Sequence, residues 1–277
     1  MQTSRLKFNH TINHAVLLIF SITSIYPVFW IITTSLKTRE QYLQNKIGVS
    51  WPFTLASIRT ALESANFFRW ILNSVIITGC SVILVTVIAI AAAYALTKLK
   101  VAGKAFILNI SIALMAIPVI IMLIPLYVFF ARINLVNSYY GIILIYVGIT
   151  APFSIYLLIS FFKTIPWEII EAAVIDGCNS FSILRRIILP ISGPPIASLI
   201  IVNALWIWNE LLLALIFMPM NKTHTIMVGL TVHRSRFAID VPVVVAGLLF
   251  ASIPLLILYL ILQRYFIKGL VSGSVKG

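Results

Sequence analysis

Uncharged apolar runs, each long enough to cross a lipid bilayer, are the feature that most restricts how this chain folds. A helix needs roughly 20 apolar residues to span the hydrocarbon core, and 61% of the 277 residues are hydrophobic while 10% are charged. Lipid offers the backbone no hydrogen-bond partners, so such spanning segments are helical. We therefore predict an all-α polytopic membrane protein with six transmembrane helices, at about residues 15–36, 71–96, 105–130, 139–162, 194–218 and 241–267.

Prolines and polar connections interrupt these runs. Pro118 and Pro125 predict a kinked helix in the third run. The polar stretch from Lys37 to Arg69 is long enough for an ordered loop with short helices. We accordingly divide the chain into two parts. Residues 1–70 hold the N-terminal tail, a retained first helix and a long extracytoplasmic loop, and residues 71–277 hold a core of five helices.

The distribution of Lys and Arg indicates how the chain is oriented. With the amino terminus inside, eleven of the 20 Lys and Arg lie inside and nine outside, and five of those nine belong to the loop from Lys37 to Arg69. Because inside loops carry the excess of basic residues, both termini are predicted to be cytoplasmic, with the chain integral to the cytoplasmic (inner) membrane. The net charge of +13 forms no basic stripe with interleaved aromatic residues, so no nucleic-acid partner is predicted.

The sequence contains no motif for catalysis, metal binding or nucleotide binding. A G-x-x-x-x-G-K-[ST] loop is missing, so ATP is not expected to bind this chain. The four histidines have no zinc-ligand spacing, and there is no G-x-S-x-G element. Cys80 and Cys178 lie in different segments, so no disulfide is predicted. We predict no catalytic residue, no metal site and no cofactor bound by this chain.

The connection over residues 163–193 separates the fourth and fifth apolar runs and predicts two short helices. Gly177 suits the left-handed residue that ends the first helix. Asn179 or Ser180 suits the cap of the second helix, which is predicted to end before Pro190. From these residues alone, the pair is either a docking element for another protein or an amphipathic hairpin on the membrane surface.

This loop resembles the cytoplasmic EAA loop of ABC importer permeases. The shared pattern is Glu-Ala-Ala, three residues, Gly, nine residues and Ile-x-Leu-Pro, and it falls here on Glu171, Ala172, Ala173, Gly177, Ile187, Leu189 and Pro190. The resemblance implies a type I ABC importer (MetI-like) permease fold, in which this loop is the coupling helix that docks into a cleft of a separate ATPase. It further implies that Glu171 and Asp176 contact the ATPase, that Gly177 forms the turn and that Pro190 ends the second helix.

The same resemblance implies the other components of the transporter. The expected partners are a second permease subunit, a dimer of ATP-binding subunits, an extracytoplasmic solute-binding protein and membrane lipid. ATP and Mg are expected in the partner ATPase. This chain is therefore expected to be a transport subunit and not an enzyme.

The fifth apolar run holds the polar residues that point to a cargo. On a continuous helix Asn203, Trp206 and Glu210 share one face, with Asn209 at its edge. Polar groups inside a membrane usually face a bundle interior or a watery cavity. An aromatic ring beside amide and carboxylate groups suits a sugar, so these four residues form a candidate substrate path. The alternative is that they join neighbouring helices.

A Trp-Asn-Glu element after the EAA loop resembles the maltose-type, carbohydrate-uptake branch of these permeases. Asn73-Ser74, which follows a Trp-Pro-Phe-Thr loop, and the tail from Arg264 to Gly277 resemble the same branch. The resemblance implies import of a sugar or oligosaccharide. The alternatives are a polyol, an amino acid or a peptide carried by the same machinery, a secondary transporter, and a membrane-embedded enzyme.

Overall fold

The structure of the protein, a computed structural model, is built from helices. It describes residues 2–64, 66–236 and 240–274, and the side chains of residues 13, 14, 16–64, 66–231 and 240–265. These ranges contain no strand, and the predicted all-α class is confirmed. The helices are α1 Gln2–Ser35, α2 Arg39–Gln44, α3 Ala56–Leu62, α4 Phe67–Lys98, α5 Lys104–Met115, α6 Val119–Arg132, α7 Tyr139–Phe162, α8 Trp167–Ile175, α9 Ser180–Ile183, α10 Leu189–Ile191, α11 Gly193–Asn209, α12 Leu212–Phe217, α13 Ile226–Arg236 and α14 Val241–Ser274.

The helices supply between four and six candidate membrane spans within the described residues. The four that qualify by themselves are Val16–Ser35, Phe67–Lys98, Tyr139–Phe162 and Val241–Tyr265. Two sharply bent pairs bring the number to six if each pair is one span. These pairs are α5 with α6, and Ser180–Ile191 with α11. These spans agree with the polytopic membrane protein that the apolar runs predict.

The third apolar run differs from the single kinked helix that we predicted. It forms α5 and α6, which are bent by 101° relative to each other. Pro118 is the N-cap of α6 and has an extended backbone (φ −62°, ψ 129°). A proline lacks the N–H that a continuing helix requires and disfavours helical angles at the residue before it, so α5 cannot run on into α6. Pro125 lies inside α6. The two prolines therefore act differently, and Pro118 separates two helices.

The chain divides into two compact units that do not follow sequence order. The units are Met1–Phe68 with Leu230–Ile253, and Arg69–Gly229 with Pro254–Gly277. The sequence analysis instead predicts that residues 71–277 form one core. In the first unit, Gly247 lies so close to Leu230 and Phe67 that a Cβ atom there would meet Leu230 Cδ2 at 2.6 Å. Such contacts between distant segments leave no trace in local sequence patterns.

The connection between α1 and α4 is an ordered loop with two short helices, as predicted. α2 begins with a capping box in which the side chains and backbone of Thr38 and Gln41 bond reciprocally. The Lys37 side chain is fully buried, and its ammonium group donates hydrogen bonds to the carbonyl oxygens of Asn45 (2.8 Å) and Gly48 (2.5 Å). Burial lowers the pKa of Lys37. The loop is therefore folded around this one side chain.

In the second unit, Asn73 of α4 holds the connection between α12 and α13. Its side-chain amide donates hydrogen bonds to the carbonyl oxygens of Lys222 (3.0 Å) and His224 (2.8 Å). Its Oδ1 accepts a hydrogen bond from the Tyr139 hydroxyl at 2.6 Å. Asn73 is buried, so water does not replace these three bonds easily. One side chain thus joins α4, α7 and the connection after α12.

We expect Asn73→Ala to lower the free energy of unfolding by about 2–4 kcal/mol, because two carbonyl groups and one hydroxyl lose a buried partner. Thermal unfolding of the detergent-purified protein measures this change. Asn221→Ala is the matched control, since Asn221 is exposed, and it should change stability by less than about 0.5 kcal/mol. Equal effects of the two substitutions would contradict the assignment.

Candidate functional site

The loop between α7 and α11 begins with α8, which ends as the sequence predicted. The N–H of Gly177 donates a hydrogen bond to the carbonyl of Val174 (3.0 Å), and the N–H of Cys178 donates to the carbonyl of Ala173 (2.9 Å). This pair of bonds is a Schellman motif, which requires a left-handed residue. Gly177 has a φ of +79°. The predicted left-handed turn at Gly177 is therefore confirmed.

The second helix of the loop starts at Asn179 but does not stop before Pro190. Asn179 Oδ1 accepts a hydrogen bond from the backbone N–H of Ser182 at 2.8 Å, which makes Asn179 the N-cap. A π-helical turn, Leu184–Ile188, then carries the helix through Pro190 to Ile191. The prediction that Pro190 ends this helix was wrong. The wider π turn lies just where a proline ring would otherwise crowd the preceding carbonyls.

α8 has a buried face and an exposed face. Ile170 and Ala173 are buried in an apolar cluster with side chains of α4, α7 and α11. Glu171, Ala172 and Asp176 are exposed. The structure thus separates the predicted motif residues, with Ala173 turned toward the protein and the two carboxylates turned away from it.

The exposed face of the loop also carries large apolar side chains. Ile175 is 84% exposed and Phe181 is 69% exposed, and Trp167 and Val174 are exposed as well. Leu189 is half-buried and Pro190 is exposed. Large exposed apolar side chains close in sequence to exposed charges are typical of protein–protein contact sites. We call this set (Trp167, Val174, Ile175, Phe181, with Glu171 and Asp176) the loop surface.

Two hydrogen bonds fix the loop to α4. The Tyr94 hydroxyl donates to the carbonyl of Ser180, the first residue of α9, at 2.9 Å. The Lys98 ammonium donates to the carbonyl of Ile165, just ahead of α8, at 2.8 Å. α8 is therefore clamped on both sides to one long helix. This packing argues against an amphipathic hairpin that lies on the membrane surface by itself.

The four polar residues of the fifth apolar run do not share one helix. α11 ends at Asn209, and Glu210 has an extended backbone with ψ of 124°. The Glu210 carboxylate accepts hydrogen bonds from the backbone N–H groups of Leu213 (2.8 Å) and Ala214 (3.0 Å), at the start of α12. The prediction of one continuous helical face was therefore wrong at Glu210. The carboxylate satisfies first-turn amides of a new helix, which have no partner inside that helix.

Glu210 also bonds a residue that sequence reasoning missed. The hydroxyl of Tyr146, on α7, donates to Glu210 Oε2 at 2.8 Å. The Tyr146 ring is fully buried and packs edge-to-face with the ring of Trp206, with centroids 6.0 Å apart. Trp206 itself is 38% exposed. Tyr146, Trp206 and Glu210 therefore form one polar–aromatic cluster between α7 and the break after α11.

The remaining two residues of the predicted path have different surroundings. Asn203 is 2% exposed, and its amide donates to Ser154 Oγ on α7 at 2.8 Å. Ser154 Oγ donates in turn to the carbonyl of Thr150 at 2.7 Å. Asn209 is exposed, and its amide donates to the carbonyl of Leu205 in its own helix. Asn203 thus joins two helices in this structure, whereas Asn209 faces outward.

A signal for the missed partners is present in the sequence. Tyr146, Thr150 and Ser154 recur at intervals of four within an otherwise apolar run, and residues at this spacing share one face of a helix.

In the described residues no group of three or more His, Cys, Asp or Glu is placed to hold a metal. The tail from Arg264 to Gly277 also resembles the carbohydrate-uptake branch, and its side chains beyond residue 265 lie outside the described residues.

Three comparisons with known proteins bear on this geometry. Residues 85–272 match the family of binding-protein-dependent transport system inner membrane components. The putative ABC transporter permease protein ORF2 of Caldicellulosiruptor sp. (strain Rt8B.4) is 35% identical, over 94% of this chain and 95% of its own length. The melibiose/raffinose/stachyose import permease protein MelC of Bacillus subtilis (strain 168) is 32% identical, over 91% of each chain.

A solved structure shares the fold. A chain from the crystal structure of a bacterial ABC transporter involved in the import of the acidic polysaccharide alginate superposes with a TM-score of 0.80. The match covers 94% of this chain and 97% of that chain, at 22% sequence identity. At this identity the likeness establishes the fold, which is that of an ABC importer permease.

Proposed function

The chain belongs to the family of binding-protein-dependent transport system inner membrane components, and we propose that the cargo it carries is a sugar or an oligosaccharide. It is an integral membrane transport subunit of an ABC transporter and not an enzyme. The relative that is named for melibiose, raffinose and stachyose import supports this cargo class. The family match does not favour a secondary transporter. A polyol, an amino acid or a peptide would be the cargo if sugars fail the test below.

The observation that carries the mechanism is the double attachment of α8 to α4. ATP and Mg are bound by the partner ATPases, and none is bound by this chain. When the ATPases close, they move α8, and the hydrogen bonds at Ile165 and Ser180 pass that movement to α4. The apolar cluster beneath α8 passes it to α7 and α11. The spans then move between inward-facing and outward-facing states, and ATP biases their populations.

The loop surface is the part of this chain that we assign to ATPase docking. It combines exposed apolar side chains with the carboxylates of Glu171 and Asp176. Apolar anchors surrounded by polar groups are the usual composition of a protein interface. Docking here requires the loop to be cytoplasmic, and the positive-inside count favours the same orientation with both termini cytoplasmic. The other expected partners are a second permease subunit and an extracytoplasmic solute-binding protein.

We expect Ile175→Glu to reduce the amount of co-purifying ATPase roughly tenfold, because a central apolar anchor of an interface commonly contributes more than 1 kcal/mol. Quantitative mass spectrometry of the gently extracted, tagged protein measures the ratio. Ile47→Glu is the matched control, because Ile47 is an exposed isoleucine outside this loop and should leave the ratio unchanged. Unaltered co-purification in Ile175→Glu would remove α8 from the docking site.

The cargo is tested by identifying the companions of the wild-type chain. We expect a P-loop ATPase, a second permease with an EAA loop, and a solute-binding protein. Calorimetric titration of that binding protein with mono- and oligosaccharides, polyols, amino acids and peptides should show saturable binding of a saccharide. Binding of an amino acid or peptide with no binding of saccharides would overturn the sugar assignment and leave the ABC transporter assignment intact.

A further inference from the structure

A basic pocket lies beside the base of α8, and its residues Lys100 and Lys104 have no part in the mechanism described above. Its volume is about 550 Å³, and it is formed by the end of α4, the short connection to α5, and Trp167, the first residue of α8. Three lysines line it, namely Lys98, Lys100 and Lys104, and its lining residues include no carboxylate. The pocket is therefore strongly positive and selects an anion.

The three lysines differ in what else they bond. Lys98 is buried, donates to the Ile165 carbonyl and lies 5.8 Å from the centre of the Trp167 ring. Lys100 and Lys104 are exposed, and neither side chain has a hydrogen bond or ion pair within the described residues. Lys98 thus fixes one wall of the pocket, while the ammonium groups of Lys100 and Lys104 are left to pair with a ligand.

The amino end of α5 adds to the positive potential. Gly103 precedes this 12-residue helix with a φ of +72°, and no side chain caps it. The amide groups of a first helical turn point away from the helix without internal partners, and the helix dipole favours an anion there. Because Ala102 and Lys104 also line the pocket, this helix end and the lysines act on the same volume.

An apolar surface adjoins the pocket. Phe106, two residues after Lys104, is 70% exposed, and Ile107 and Ile110 on the same helix are also exposed. The lysines of the pocket are therefore followed directly by exposed apolar side chains of α5. A phospholipid offers both groups that such a site requires, a phosphate for the lysines and acyl chains for the helix. A soluble phosphate offers only the first.

We propose that this pocket binds the phosphate of an anionic phospholipid headgroup, with Lys100 and Lys104 as its ion-pair partners. Trp167 is shared between the pocket and α8, so the bound lipid supports the base of the coupling helix. This consequence for transport rests on the proposed function, whereas the binding itself does not.

The test measures lipid retention by native mass spectrometry on the chain with whatever subunits remain bound to it. The protein is exchanged into nanodiscs of phosphatidylcholine with a minor share of phosphatidylglycerol, and retained lipids are counted after release. We expect the wild type to retain phosphatidylglycerol preferentially. In the Lys100→Gln/Lys104→Gln variant the preference should fall roughly tenfold, since each basic residue at a membrane surface contributes measurably to anionic lipid binding.

Two further variants make the result specific. Lys163→Gln/Lys222→Gln removes two exposed lysines outside the pocket and should retain the wild-type preference, and Lys100→Arg/Lys104→Arg should restore it. A preference that is unchanged in the glutamine variant would overturn the proposal. Displacement of the lipid by millimolar inorganic phosphate would overturn it as well and would identify a soluble-anion site. The readout uses neither uptake nor ATP hydrolysis. A failure of the lipid proposal therefore leaves the proposed function intact, and a failure of the proposed function leaves the lipid proposal intact.

Discussion

Replacing Gly177 with valine is expected to lower solute uptake roughly tenfold while the protein remains in the membrane. Gly177 has a φ of +79°, and a residue with a Cβ atom pays about 1–2 kcal/mol to adopt the left-handed conformation. A cost of that size lowers the ratio of native to non-native loop conformers by roughly five- to thirtyfold. A Cβ at Gly177 would meet nothing within 4 Å, so the effect comes from the backbone and not from a clash.

The same position offers its own controls. Asparagine tolerates the left-handed region, so Gly177→Asn should retain most of the uptake. Gly177→Asp has a similar backbone tolerance but places a carboxylate beside Asp176 on the loop surface, and we expect it to uncouple transport from ATP hydrolysis. Uptake of labelled solute and ATPase activity in proteoliposomes separate these cases. Wild-type uptake by membrane-inserted Gly177→Val would exclude a functional role for the turn.

Glu210→Ala is expected to destabilise the protein by about 3 kcal/mol or more. The carboxylate accepts hydrogen bonds from the Tyr146 hydroxyl and from the backbone N–H groups of Leu213 and Ala214. Each buried donor that loses its acceptor costs about 1–3 kcal/mol. Thermal unfolding in detergent measures the loss. Tyr146→Phe removes only one of the three bonds, and its effect should be about 1 kcal/mol.

A second measurement separates this structural role from a role in the substrate path. Asn209→Ala removes an exposed amide whose hydrogen bond stays within its own helix, so the unfolding temperature should hardly change. If Asn209 and Glu210 line the path of the solute, uptake by Asn209→Ala falls although stability does not. Unchanged uptake and unchanged stability would exclude Asn209 from the path.

Several features of the coupling loop were predictable because they depend on neighbours in sequence. The left-handed turn at Gly177 follows from glycine's conformational freedom, and the cap at Asn179 follows from a side-chain bond to a residue three positions away. The π turn before Pro190 was not predictable in this way. A proline usually ends a helix, whereas here the helix continues through Pro190 with Ile183 and Ile188 packed in the core on its buried side.

The broken helices were not predictable from neighbouring residues either. Glu210 looks like one more polar residue on the face of a long helix, whereas in the structure it lies at the helix break and accepts a bond from the hydroxyl of Tyr146, 64 residues earlier in the chain. The bend at Pro118 has a local cause, but that cause does not determine the angle of 101° between α5 and α6. Sequence periodicity identifies apolar runs and does not identify the point at which a run turns.

By itself the sequence determined that this chain is a helical membrane protein, where its apolar runs lie, and how the turn at Gly177 and the cap at Asn179 are formed, because these properties depend on composition and on contacts within a few residues. Only the tertiary structure decided which polar groups meet. Asn203 bonds Ser154 across 49 residues, Lys98 bonds Ile165 across 67, and Tyr94 bonds Ser180 across 86. A buried polar group that lacks a partner costs free energy, and in these three pairs the fold supplies the partner from a segment far away in the chain.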